Sequence, residues 1–288
     1  MAQLLYGKPV ADVLTADTRR RADLLRDKGV MPKLVILRCG ENEADGAYIR
    51  GAMKRGGLCG VDVELRTLAA DVSADTLART LKAVNGDSAV HGCLLLRPLP
   101  GQLKAAESGL CALLDPRKDV DGMTPVSAAG VFIGSGEGFP PCTAQACMAL
   151  LDYYHIDCAG KSAAVIGRSA VVGRPAALLL LARNATVTVC HSKTRDTAAV
   201  TRQADIIVTA AGAADSLTAD HVRPGQVVVD VSTNWNGTGL CGDADFDAAA
   251  EIVEAITPVP GGVGAVTSAV LMAHTVRAAE KLTGEGGL

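Results

Sequence analysis

Aromatic residues are scarce in this chain: four tyrosines, three phenylalanines and one tryptophan among 288 residues. A core built from it is aliphatic, and stacking platforms for single-stranded nucleic acid are not expected. A basic tail or stripe is also missing, and the net charge is −3. Neither nucleic acid nor an acidic membrane surface is therefore expected as a partner. No uncharged apolar run reaches the roughly 18 residues that a membrane helix needs. Residues 1–8 lack a basic segment followed by a long apolar one, so no secretory leader is expected. The nine cysteines include no CxxC pair, and the five histidines are scattered. No metal site is expected. Buried thiols in a reducing cytoplasm are the simplest account. No repeat at a solenoid period occurs.

What is present is an alternation of apolar strand patterns and amphipathic helix patterns. Strands are expected at residues 33–38, 61–65 and 92–96, with helices at 9–27, 45–58 and 74–84 around them. Such alternation implies a mostly parallel sheet. Residues 98–141 break the pattern with six prolines and a cluster of glycines at 134, 136 and 138. A helix over 143–154, with Thr143 as its cap, would follow as a connector. A second series then begins: strands at 162–166, 186–190, 206–209 and 227–231, helices at 172–183 and 197–202, and a turn near 219–222. The final helix pattern, 267–282, follows a proline-containing loop and is placed back with the first series. The expected fold class is α/β, with two βα domains around a cleft. Residues 1–140 and 268–288 form the first domain. Residues 141–267 form the second, a Rossmann-like doubly wound parallel sheet.

The segment Val165-Ile166-Gly167-Arg168-Ser169, followed by Val172-Gly173-Arg174-Pro175, reads as a strand, a tight turn and a helix N-terminus. That arrangement offers free backbone N–H groups to a dinucleotide's pyrophosphate. Ser169 stands where a second glycine usually permits close backbone approach, so the phosphate geometry differs somewhat. The next strand ends in Cys190-His191-Ser192-Lys193-Thr194-Arg195, with no acid before Asp196. A carboxylate there would bind the ribose hydroxyls of NAD. A hydroxyl and cations, with Arg168 nearby, suit a 2′-phosphate instead, and NADP is the expected cofactor.

The chain resembles the methylenetetrahydrofolate dehydrogenase/cyclohydrolase family nearly end to end. The resemblance is carried by Lys118-Asp119-Val120-Asp121-Gly122, Pro141-Cys142-Thr143, the two glycine segments above, Cys190-His191-Ser192-Lys193-Thr194, Gly242-Asp243-Ala244-Asp245-Phe246 and Thr257-Pro258-Val259-Pro260-Gly261-Gly262-Val263-Gly264. The family oxidises 5,10-methylenetetrahydrofolate with NAD(P) and then hydrolyses the methenyl product to 10-formyltetrahydrofolate. It typically forms homodimers through the cofactor domain. The resemblance implies a tetrahydrofolate derivative as substrate in the cleft. Asp121 matches the aspartate that grips the pterin, and Tyr48 matches the tyrosine lining its pocket. Pro260, Gly261, Gly262 and Val263 lie in the loop expected at the folate. Gly167, Arg168, Ser169, Val172, Gly173, His191, Ser192 and Thr233 are the expected NADP contacts.

Two departures fall on the hydrolytic machinery. The family's Tyr-x-x-x-Lys becomes Tyr48-Ile49-Arg50-Gly51-Ala52, with alanine in place of the lysine that drives hydrolysis. On a helix advancing about 100° per residue, Lys54 points well away from Tyr48. Arg55 returns to the same stripe one turn later, but arginine stays protonated and cannot carry a tunable proton. The family's Gln-Leu-Pro-Leu-Pro becomes Leu96-Arg97-Pro98-Leu99-Pro100, so the partner glutamine is absent too. Ser232-Thr233 stands for Gly-Ile, and Ala265-Val266-Thr267 for Pro-Met-Thr. The expectation is a dehydrogenase with weak or lost cyclohydrolase activity. A full bifunctional enzyme, a non-catalytic folate- or NADP-binding protein and a related two-domain NADP dehydrogenase stay open as alternatives.

Overall fold

The computed structural model describes residues 1–285, apart from the side chains of Glu43 and Ala44. The elements of the first half are β1 (Gln3–Leu4), α1 (Gly7–Asp27), β2 (Lys33–Cys39), α2 (Glu43–Cys59), β3 (Asp62–Leu68), α3 (Ala74–Gly86), β4 (Gly92–Leu95), α4 (Glu107–Cys111) and α5 (Pro125–Ile133). The second half contains α6 (Cys142–Tyr153), β5 (Ser162–Ile166), α7 (Gly173–Ala182), β6 (Thr186–Cys190), α8 (Thr197–Thr201) and β7 (Ile206–Thr209). It continues with β8 (Val227–Asp230), β9 (Asn234–Trp235), β10 (Leu240–Cys241), α9 (Phe246–Ala250), β11 (Ala255–Ile256) and α10 (Gly264–Thr283). Thr143 is the second residue of α6, not its cap.

The chain divides into two compact units. One holds residues 13–142 and 268–288, the other residues 1–12 and 143–267. Sequence periodicity put residues 1–12 with the first series. They group with the second because β1, only two residues long, pairs in parallel with β11.

In the first unit, β3, β2 and β4 form a parallel sheet in that order. β2 lies in the middle, and Leu34, Val35, Ile36 and Leu37 are fully buried. A central parallel strand covered on both faces requires such a continuous apolar run. One side of this sheet packs Val35, Leu37, Leu77, Leu81, Leu95 and Leu103 into an aliphatic cluster. Ser73 caps α3 by accepting from the Thr76 N–H.

The second unit is a six-stranded parallel sheet of order β1-β11-β8-β7-β5-β6. The chain leaves β5 towards β6 on one side, then returns to place β7 and β8 on the other. The strand order therefore reverses at β5, and in open α/β sheets ligands bind beyond the carboxyl ends of the strands at such a point. Gly167-Arg168-Ser169 begins there. Among the described residues no helix is long and apolar enough to cross a membrane. The cysteines form no disulfide, and only Cys39 and Cys241 are not fully buried.

Candidate active site

In the second unit, the turn after β5 is shaped by two glycines. Gly167 has φ +115°, and a Cβ there would lie 2.2 Å from the Ala210 carbonyl oxygen. A Cβ on Gly173 would lie 2.3 Å from the Gly167 carbonyl oxygen. Only glycine permits this close passage of β5 and α7. We expect Gly167→Ala to destabilise the chain by about 2–4 kcal/mol, combining backbone strain with overpacking. Calorimetry should show the thermal midpoint at least about 5 °C lower. A midpoint equal to the parent's would contradict this account of the turn.

Ser169 has a task that sequence reading missed. Its Oγ accepts hydrogen bonds from the Val172 N–H at 3.1 Å and the Gly173 N–H at 3.3 Å. Ser169 thus satisfies two donors at the start of α7 rather than merely standing in for a glycine. A hydroxyl followed by an apolar helical run was the available signal.

The end of β6 folds into a tight turn. The His191 N–H donates to Thr194 Oγ1 at 2.9 Å, and the Lys193 N–H donates to His191 Nδ1 at 3.1 Å. His191 therefore accepts at Nδ1 and carries its ring proton on Nε2 when neutral. Arg168, Ser192, Lys193 and Arg195 are exposed. The three cationic side chains make no hydrogen bond or ion pair with the described residues. Asp196, the first acid after this turn, caps α8 by accepting from the Ala199 N–H at 2.8 Å. The glycine cradle, the free cations and the absence of a competing carboxylate fit a dinucleotide carrying an additional phosphate.

Beyond β7 and β8, Asp243 joins three loops. Oδ2 accepts from Thr209 Oγ1 at 2.9 Å, the Ala211 N–H at 2.6 Å and Ser232 Oγ at 2.8 Å. Oδ1 accepts from the Ala213 N–H and the Asn234 amide. Ser232, glycine in the family pattern, thus adds a bond that glycine could not make. Burial pushes the neighbouring Asp230 carboxyl up to about 6, the Ala244 N–H opposes this, and the Asp243 charge adds to it. Thr233 is exposed. In the following loop, Pro260 and Gly261 are exposed, Gly262 is buried and Val263 is only 1% exposed. The Val263 side chain packs inside the protein and offers little surface to a ligand. The Gly7 N–H donates to the Gly261 carbonyl at 2.8 Å, tying this loop to the chain's first helix.

In the first unit, Lys118-Asp119-Val120-Asp121 separates into structural and available charges. Lys118 Nζ donates to the carbonyls of Val84, Asn85 and Asp87, which closes the end of α3. Asp119 is fully buried and accepts from the Met123 and Thr124 N–H groups and from Ser127 Oγ at 2.6 Å. These bonds build the turn into α5. Asp121 is engaged much less. Burial pushes its carboxyl up to about 6, opposed by hydrogen bonding from Cys142 and then by the charge of Arg97. Tyr48, half-buried on α2, has its phenol held well above the usual value, first by burial, then by Cys142 and Asp121. Tyr48 and Asp121 therefore share one environment.

Beneath them lies a buried polar cluster that sequence reading missed. His274 Nδ1 is 2.9 Å from the Val120 carbonyl oxygen, and Cys142 Sγ donates to the same oxygen at 3.3 Å. Burial pushes His274 down to about 4, so the ring is neutral at pH 7. Its partners come from distant parts of the chain, so no local pattern could reveal them.

Ala52 is fully buried on α2, four residues beyond Tyr48. Leu96 is half-buried after β4, with its N–H bonded to the Leu37 carbonyl. Lys54 is exposed, and Arg55 donates to Thr15 Oγ1 at 2.8 Å. At the two divergent positions the structure holds apolar side chains.

The catalytic-domain model of tetrahydrofolate dehydrogenase/cyclohydrolase matches residues 5–121, and the NAD(P)-binding-domain model of that family matches residues 141–283. The chain is 46% identical to the bifunctional protein FolD of Carboxydothermus hydrogenoformans, over 99% of each chain. The FolD crystal structure from Campylobacter jejuni superimposes with a TM-score of 0.94 at 37% identity, covering 98% of this chain and 99% of that one. The Trypanosoma brucei enzyme, crystallised with NADP cofactor and inhibitor, gives 0.91 at 32% identity, covering 97% and 98%.

Proposed function

The chain belongs to the tetrahydrofolate dehydrogenase/cyclohydrolase family, and from that premise we propose that it oxidises 5,10-methylenetetrahydrofolate to 5,10-methenyltetrahydrofolate with NADP, and hydrolyses the product weakly or not at all. The dehydrogenase half is supported by Asp121, the carboxylate that stays available while Lys118 and Asp119 hold the fold. An ionised carboxylate accepts paired N–H donors such as a pterin presents. Tyr48 lines the same place.

Gly167, Arg168, Ser169, Val172, Gly173, His191, Ser192 and Thr233 are the residues that would hold NADP, which when bound would supply the hydride acceptor. The donor carbon lies between two nitrogens whose lone pairs stabilise the cation left behind. The residues of this chain therefore need to hold and orient, not to move a proton. Hydrolysis asks more: a water must lose a proton and a ring nitrogen must gain one. Ala52 and Leu96 can do neither. Purified protein is expected to reduce NADP with methylenetetrahydrofolate and to leave methenyltetrahydrofolate at its buffer-catalysed rate of decay.

The second reading is a full bifunctional enzyme, favoured by the naming of the similar curated proteins as bifunctional. In this chain it requires a proton carrier other than Ala52, and Lys54 is exposed on α2. The resemblance further implies a cytoplasmic homodimer joined through the cofactor-binding unit, which sedimentation equilibrium tests.

The cofactor assignment gives its own test. Ser192→Asp removes a donor and sets a carboxylate against the 2′-phosphate. A loss of about 3 kcal/mol corresponds to a weakening of NADP binding by about 100-fold. NAD binding should stay within a fewfold of the parent's. Calorimetric titration of both nucleotides reads the ratio. Tighter binding of NAD than NADP by the parent chain would reject the assignment.

A further inference from the structure

The Val120 carbonyl oxygen receives two donors from distant parts of the chain. His274 Nδ1, on α10, lies 2.9 Å away, and Cys142 Sγ, at the start of α6, lies 3.3 Å away. A carbonyl oxygen only accepts, so the proton of the neutral imidazole sits on Nδ1. Sγ and Nδ1 are 3.8 Å apart, and a nitrogen that carries its proton cannot take the thiol's. His274 is buried, as are Val120 and Cys142. Burial keeps the imidazole neutral; the Val120 carbonyl opposes this, and the charges of Arg277 and Lys281 on the same helix add to it. The ring packs on Phe139, with centroids 5.0 Å apart, and Arg277 and Lys281 lie over Phe139 in turn.

The Cys142 thiol has one proton and two acceptors in reach. One is the Val120 carbonyl. The other is the carboxylate of the next residue, Asp121, which Cys142 also hydrogen-bonds. Arg97, Asp119 and the Tyr48 phenol are the other charged or titratable groups facing that carboxylate. A donor favours an ionised acceptor, but a buried carbonyl left without any donor is costly. The His274 N–H removes the conflict by serving the carbonyl itself.

We infer, on the reading of Asp121 as the pterin-binding carboxylate, that His274 is a positioning residue for it: the Nδ1–H satisfies the Val120 carbonyl, which commits the single S–H proton of Cys142 to Asp121. The carboxylate then stays ionised, in the form that accepts paired N–H donors, to a lower pH than its burial alone permits. Without the imidazole donor, the thiol turns to the carbonyl and Asp121 loses a bond that favours its charge.

The test is the pH profile of kcat/KM for methylenetetrahydrofolate in His274→Asn and His274→Leu. The two replacements share one branched shape, so loss of the ring affects both alike. Only asparagine carries an N–H at the δ position. In the parent and in His274→Asn the acid limb should lie at about pH 6. In His274→Leu it should move up by about one pH unit, making kcat/KM about 5–10-fold lower at about pH 5.5 and within about twofold of the parent at about pH 8.5. Cys142→Ala should show the same raised limb, and adding it to His274→Leu should raise the limb no further, because both act on one bond. A limb unmoved in His274→Leu, or a loss of equal size across the profile, marks the imidazole as packing alone and overturns the inference. Equal shifts in His274→Leu and His274→Asn overturn it too. Should His274→Leu not fold, Cys142→Ala decides: a raised limb supports the inference, and a limb at the parent's pH overturns it. An acid limb that Asp121→Asn abolishes and His274→Leu leaves in place defeats this inference alone. A parent whose activity survives Asp121→Asn intact defeats the reading of Asp121 beneath it.

Discussion

Ala52→Lys combined with Leu96→Gln is expected to accelerate methenyltetrahydrofolate hydrolysis by about 10²–10⁴-fold, the usual worth of a positioned acid–base group. Residue 52 lies one helical turn beyond Tyr48, on the same stripe of α2. It is fully buried. A lysine introduced there loses hydration, which lowers its pKa towards the working range and frees a lone pair to take a proton. The glutamine supplies a polar partner where Leu96 offers none. Ala52→Lys alone should recover only part of the gain, because an unpartnered ammonium in an apolar setting is poorly placed. Reduction of NADP by the same preparations establishes that the variants fold. Parent protein that already clears methenyltetrahydrofolate efficiently would refute the premise, and a double variant no faster than buffer would refute the assigned positions.

Asp121→Asn is expected to lower kcat/KM for methylenetetrahydrofolate by about 10²–10³-fold, from the loss of charge-assisted hydrogen bonds worth about 3–4 kcal/mol. The parent's kcat/KM should fall as pH drops through about 6, where the buried carboxyl takes up a proton. That acid limb should be missing in the variant. The same substitution should act in the opposite sense on stability. The folded-state pKa lies above the usual carboxylate value, so the native state binds the proton more tightly than the unfolded chain. The stabilisation from this proton is complete below the unfolded-state pKa and is lost as pH rises through about 6. At pH 8 ionised Asp121 therefore burdens the fold, by about 1–2 kcal/mol once partial exposure is discounted. Asp121→Asn should melt higher than the parent at pH 8 and lose that advantage at pH 4. Full activity in the variant would remove Asp121 from the site.

Much of the second unit was legible because its strands are apolar and regular. Residues 162–166, 186–190 and 206–209 were expected as strands and are observed as β5, β6 and β7. Periodicity could not find β1 and β11, since two-residue strands carry no pattern. In the proline-rich stretch, α5 has Pro125 in its first turn and Gly134 as its left-handed cap, so the breakers are boundary signals for a helix too short to show a stripe.

For the site, residue identity located the candidates but not their roles. Asp119 and Asp121 are the same residue two positions apart. Only the topology, which places Ser127 and the Met123–Thr124 backbone against Asp119, shows that one is structural and the other available. Asp243 and Ser232 are similar: their bonds join the ends of β7 and β8 across the sheet, and no local spacing encodes that meeting. Ala52 and Leu96 were readable from the sequence, because a missing lysine or glutamine needs no geometry to be noticed.

The most direct measurement is a single progress curve, with purified chain, NADP and methylenetetrahydrofolate, in which NADPH and methenyltetrahydrofolate are followed together. The two products should rise in equal amounts, after which the methenyl compound should persist, decaying no faster than in enzyme-free buffer. NADPH forming while the methenyl compound never accumulates would show that hydrolysis is intact, and no NADPH at all would show that the chain is not a dehydrogenase of this substrate.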